Sequence, residues 1–210
     1  MMAFAKAEQQ ELLRFHSEYE LKTPLPQKQL GDRTIYLSHN KFGPLTHGIG
    51  RPVIVDLYVA MPEDVEKPWD HDIQPHNLQA PEVVIGAPWS YSADVWDLGA
   101  LLLYLMEGHD LSRRGKDDVP DLTRMISCLG PPPEELLRRR IRNTGVLDDD
   151  GKLKVTFTDG SVTLESFVTL LEGDEKVRFL SLIRRMLEWV PEERATAKEL
   201  LEDARLRTDT

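Results

Sequence analysis

Apolar positions crowd one stretch of this chain and are spread thinly elsewhere. Between Ala93 and Glu107, the residues Val95, Trp96, Leu98, Leu101, Leu102, Leu103 and Leu105 fall all round a helical wheel. That pattern predicts a helix over 93–107 buried on most faces rather than along one stripe. Ser92 is placed to cap its start and Gly108 to end it. Shorter helical patterns follow at 121–129, 133–141, 162–171, 175–189 and 195–203, with Pro133 tolerated in a first turn.

The front of the chain reads differently. Residues 1–20 are good helix formers with apolar positions at Leu12, Phe15 and Tyr19. Residues 23–31 hold two prolines and a glycine and read as connector. Thr34-Ile35-Tyr36-Leu37 alternates at the strand period, and residues 52–57 form a buried-strand run. The Gly- and Pro-rich stretch 43–50 is long enough to return the chain antiparallel, which predicts a small hairpin from these two runs. Residues 61–80 are polar and aperiodic, and such a long irregular segment in a compact domain is functional or disordered. Residues 148–154 make an acidic turn. The predicted fold is mainly α with a small β-hairpin, divided as an N-terminal helix and connector over 1–33, a body over 34–205 and a tail over 206–210. No internal repeat interrupts it.

Composition narrows the function classes. With 210 residues and 40% hydrophobic content the chain can bury a core. A net charge of -10 argues against a grip on nucleic acid or on anionic lipid. Arg138, Arg139, Arg140 and Arg142 are the local exception and read as a solvated helix face. Cys128 is the single cysteine, so no internal disulfide forms, and it reads as a buried, inert thiol. The longest apolar run, 98–106, is too short to span a bilayer, which needs about 20 residues. No signal pattern opens the chain, and a cytoplasmic or nuclear location is expected.

Three motifs carry chemistry. They are Ala80-Pro81-Glu82, Asp94-Val95-Trp96-Asp97-Leu98-Gly99, and Trp189-Val190-Pro191-Glu192-Glu193-Arg194-Ala195-Thr196-Ala197. In this order they resemble the C-terminal lobe of eukaryotic protein kinases: the end of the activation segment, the start of the central hydrophobic helix, and the entry to the last helix. Asp72-Ile73-Gln74-Pro75, Ala87-Pro88-Trp89-Ser90-Tyr91-Ser92 and Leu129-Gly130-Pro131-Pro132-Pro133 resemble more narrowly the SR-protein-kinase-like branch, including its fungal members.

The resemblance implies roles residue by residue. Glu82 pairs with Arg194 through a planar bidentate contact that lysine cannot copy. Trp96 and Gly99 belong to the central helix, and Asp94 accepts backbone N–H bonds from the catalytic loop. Gln79, Ala80 and Pro81 close the activation segment, with Gln79 where this branch carries arginine. Asp56, in Val53-Ile54-Val55-Asp56-Leu57-Tyr58, aligns with the Asp-Phe-Gly aspartate that holds Mg²⁺ on ATP phosphates. Leu57 and Tyr58 replace the Phe and Gly, and tyrosine resists the torsions glycine allows.

Other kinase parts have no counterpart among the 210 residues. A Gly-x-Gly-x-x-Gly loop, a Val-Ala-Ile-Lys strand and a His-Arg-Asp loop with its Asn are all missing from the sequence. The intact family implies an ATP- and Mg²⁺-dependent serine/threonine kinase acting on arginine–serine-rich proteins. This chain alone is expected to bind neither cofactor and to be a truncated lobe or a non-catalytic pseudokinase remnant. Its expected partners are a protein substrate, a protein partner or the missing N-lobe segment. A metal site from Asp70, His71, Asp72 and His76 lacks zincin register, and Asp148-Asp149-Asp150-Gly151 lacks the later calcium ligands. Both read as loops. Ser90 and Ser92 form no defensible triad.

Overall fold

A computed structural model describes residues 6–37, 54, 60–61, 69–114, 120–154 and 162–203. The chain divides into two compact units, residues 1–64 and 65–210.

In the first unit, helix α1 (Lys6–Lys22) is followed by strands β1 (Gln27–Leu30) and β2 (Arg33–Tyr36). The strands pair antiparallel, with Gln27 opposite Tyr36 and Leu30 opposite Arg33. Gly31, at φ +58°, takes the first central place of a two-residue hairpin loop, where only glycine is unstrained. This corrects the expected hairpin. The described partner of strand 33–36 is a run read as connector, and a two-residue turn closes that pairing with a loop-closure cost lower by about 0.6 kcal/mol per halving of loop length. Gln27-Lys28-Gln29-Leu30 carries no alternation because all four residues are exposed. Of the supposed buried strand at 52–57, Ile54 is 87% exposed and in no strand. The rest of that run lies outside the described residues.

The second unit is helical. Helix α2 (Pro81–Ile85) precedes α3 (Ser92–Glu107). A two-residue ladder, β3 (Arg113–Arg114) and β4 (Pro120–Asp121), leads to α4 (Thr123–Leu129) and α5 (Glu134–Arg138). Then come α6 (Leu164–Phe167), α7 (Gly173–Met186), a 3-10 turn (Pro191–Glu193) and α8 (Ala197–Leu201). Helices α6 and α8 open with reciprocal capping boxes, Thr163 with Ser166 and Thr196 with Glu199. The acidic turn is present: Leu147 bridges Leu153, and Gly151 at φ +78° reverses the chain.

Helix α3 is the packing axis, though with two corrections. Ser92 is its first residue and not its cap; Tyr91 precedes it in a helical conformation without a side-chain cap bond. Its buried residues are Ala93, Trp96, Gly99, Ala100 and Leu103, a single stripe at spacings of three and four. Leu98 and Leu105 on the other side are 50% and 68% exposed. The buried stripe meets α7 so closely that a Cβ on Gly99 would lie 3.0 Å from Met186 Cβ. Glycine there lets the two helices approach. Leu164, Leu180, Ile183, Met186 and Leu136 belong to the same core.

Candidate functional site

The Glu82 carboxylate and the Arg194 guanidinium are brought together at the centre of this unit. Pro81 opens α2 and puts Glu82 in its first turn, fully buried. Arg194 leaves the 3-10 turn in an extended conformation that drives its side chain inward. Arg194 Nη1 donates to Glu82 Oε1 at 2.7 Å, and Nη2 to Oε2 at 2.5 Å. Nη1 also donates to Ser92 O at 2.9 Å, Nη2 to Trp189 O at 3.3 Å and Nε to Glu188 O at 2.8 Å. All five N–H donors of the guanidinium are thereby matched. Trp96 lies beneath the guanidinium, its ring centroid 5.1 Å from the Arg194 carbon, and Trp189 lies 6.2 Å from Trp96. One cation thus fastens α2, α3 and the segment before α8. Opposite charges in that dry setting are held by full pairing, without which burial would be prohibitive.

The segment 69–80 leads into this pair and is held at several points. Trp69 and Trp89 exchange backbone N–H···O bonds of 3.1 and 2.7 Å, and their rings stack at 6.2 Å. Trp89 Nε1 donates to His71 O at 2.8 Å. Gln74 has φ +69°, and its amide links Ala80 N at 2.9 Å to Ala93 O at 2.7 Å. Gln79 is buried and donates to Ile73 O at 2.9 Å. Asn77 donates to Asp110 Oδ1 at 2.7 Å, while Arg124 donates to Asp110 O at 2.6 Å. A segment with little regular structure is therefore fixed by side-chain amides, indoles and guanidinium groups.

Two carboxyls stand near the start of α3. Asp94 is exposed, and the desolvation it does undergo raises its pKa. Asp97 is pushed to about 6, first by burial and then by Asp94 nearby. Its Oδ1 is buried with no hydrogen-bond partner among the described residues. Around the same side of the helix lie Leu98, Leu101 and Leu105, as 3.6-residue periodicity places them.

Asp56, with Leu57 and Tyr58, lies outside the described residues. Among the described residues no group of three His, Cys, Asp or Glu side chains could hold a metal ion. His71 packs edge-on against Trp69 and Trp89, at 5.6 and 5.1 Å, and Asp72 is engaged by Arg142. The arginine cluster is not a solvated helix face. Helix α5 stops at Arg138, so the later arginines leave the helical path and find partners of their own. Arg139 takes Glu192 and Glu135, and Arg140 takes Asp148 O. Cys128 is half-buried rather than buried, and desolvation pushes its thiol up to about 11. No described helix is long and apolar enough to cross a membrane.

Sequence reasoning missed Gln74, Arg142 and the Trp69–Trp89 bridge as positioning residues. Nothing local signals a glutamine at positive φ or two indoles that pair across twenty positions.

No family model matches the chain. A serine/threonine protein kinase of Aspergillus fumigatus (strain CBS 144.89) is 38% identical over 188 residues, covering 86% of this chain and 47% of that protein. The dual specificity tyrosine-phosphorylation-regulated kinase 3 of Mus musculus is 30% identical over 149 residues, 61% of this chain and 25% of that protein. The serine/threonine-protein kinase AFC3 of Arabidopsis thaliana is 29% identical over 142 residues, 62% of this chain and 35% of that protein. The chain thus spans about half the length of the Aspergillus relative, and less of the other two. These serine/threonine and dual-specificity kinases support a protein-kinase-like domain, consistent with the mostly helical fold.

Proposed function

We propose that this chain is the C-terminal lobe of a protein kinase of the SR-protein-kinase-like branch, which carries the protein-docking face of the enzyme. The observation that supports it most is the buried Glu82–Arg194 pair over Trp96, which joins motifs that lie 112 residues apart. On this reading Asp94 braces the active site, Trp96 supports the Arg194 guanidinium, Gly99 sets helix spacing, and Gln79-Ala80-Pro81 end the substrate-facing segment. A polypeptide that also carried the glycine-rich loop, its lysine and the His-Arg-Asp loop would transfer the ATP γ-phosphate to serine or threonine of arginine–serine-rich proteins. In such an enzyme Asp56 would be this chain's ligand to Mg²⁺, which would supply charge neutralisation at the phosphates.

The 210 residues alone do not catalyse that transfer. Phosphoryl transfer is nearly all positioning and electrostatics, and the base, the second metal ligand and the phosphate clamp are missing together from the sequence. A second reading, a non-catalytic protein-binding module, is favoured by one feature. Among the described residues, the side chains of Gln74, Gln79, Trp89 and Arg142 in the 65–210 unit fasten the 69–80 segment, which supports a docking face shaped within that unit.

Reading the coding DNA immediately upstream separates the two. An in-frame His-Arg-Asp loop and glycine-rich loop support the enzyme lobe. Stop codons and unrelated sequence there support the binding module and would overturn the first reading.

A further inference from the structure

Arg142 stands where three separated pieces of chain meet. Its backbone N–H donates to Gly86 O at 3.1 Å, beside that of Ile141 at 2.9 Å. A Cβ on Gly86 would fall 2.4 Å from the Arg142 carbonyl oxygen, so the two backbones touch with no room between them. From that fixed origin the side chain crosses to the 69–80 segment. Nε donates to Asp70 O and Nη2 to Asp72 Oδ1, each at 2.9 Å. Guanidinium donors lie in one rigid plane, so these bonds set Asp70 and Asp72 relative to each other as well as to Gly86. A lysine ammonium could meet either acceptor but not hold both in plane.

We propose that Arg142 is a positioning residue, the clasp that fixes the shape of the 69–79 segment. The proposal rests on the reading of that segment as the protein-docking face. Gln74 and Gln79 secure the later half of the segment, and Trp89 secures His71 O. Arg142 supplies the tether on either side of His71. Asp72 has no second cation within ion-pair distance among the described residues. Loss of the guanidinium therefore frees both points at once.

Hydrogen exchange on the full chain, read peptide by peptide with the thermal midpoint measured alongside, tests this. Arg142→Ala should speed amide exchange over 69–79 by about tenfold while protection in α7 and the thermal midpoint stay near wild type. Asp72→Asn should reproduce part of the effect, and Arg142→Lys should rescue only part of it. Unchanged exchange over 69–79 would overturn the proposal. So would acceleration spread evenly over 65–203, or full rescue by lysine, which would make the residue a general stabiliser or a simple point charge. Upstream DNA without kinase motifs would sink the enzyme reading and leave these exchange results standing.

Discussion

Arg194 and Glu82 meet through two parallel N–H···O contacts, and neither side chain is reached by solvent beyond 1% of its surface. A pair so enclosed is costly to break from either side. Glu82→Gln leaves the cation with one lost charge partner, and Arg194→Ala leaves a buried carboxylate alone. Each should lower stability by about 3–5 kcal/mol in urea unfolding. Arg194→Lys should recover less than half of that, because three donors replace five and the Trp96 stack is lost.

Gly86 and Gly108 make a matched comparison. Both adopt left-handed φ, +75° and +69°. Alanine at Gly108 meets nothing within 4 Å, so only the torsional cost of about 1 kcal/mol applies. At Gly86 the new methyl group would strike the Arg142 carbonyl oxygen at 2.4 Å. Gly86→Ala should cost at least about 3 kcal/mol, read as the larger drop in thermal midpoint.

Asp97 predicts a pH dependence with a definite sign. Its folded pKa of about 6 lies above the ordinary aspartate value of 3.8, because burial and Asp94 disfavour the charged form. Folding therefore favours the protonated acid. The associated stability is full below about pH 4 and is lost as pH rises through about 6. Asp97→Asn should be about 1–3 kcal/mol more stable than wild type at pH 7, with the gap closing by pH 4. Equal gaps at both pH values would show that the carboxyl does not titrate in this way.

The outer side of α3 predicts self-association. Leu98 and Leu105 expose apolar surface on the same side of the helix, opposite the buried stripe. Leu105→Glu should reduce concentration-dependent association in sedimentation velocity without lowering the unfolding midpoint.

Much of the helical body was legible because its signals are local or belong to fixed motifs. Glycine after Glu107 ended α3 as its left-handed cap, and the apolar density of 93–107 located the helix. Glu82 and Arg194 were legible only through their motifs, since no periodicity links residues so far apart. What failed was environment. The all-round apolar wheel of α3 predicted burial on most faces, yet Leu98 and Leu105 are exposed. The exposed strand β1 gave no alternation to detect. The basic run read as one helix face, but α5 ends at Arg138 and tertiary partners disperse the remaining arginines. Gln74, whose amide spans Ala80 and Ala93, owes its role wholly to tertiary contacts.

The most direct measurement of the central claim is phosphate incorporation from labelled ATP and Mg²⁺ into an arginine–serine-rich protein by the purified 210-residue chain. No incorporation above a blank without the chain is expected, for wild type and Asp56→Ala alike. ATP-dependent incorporation by the wild-type chain that Asp56→Ala abolishes would contradict that claim.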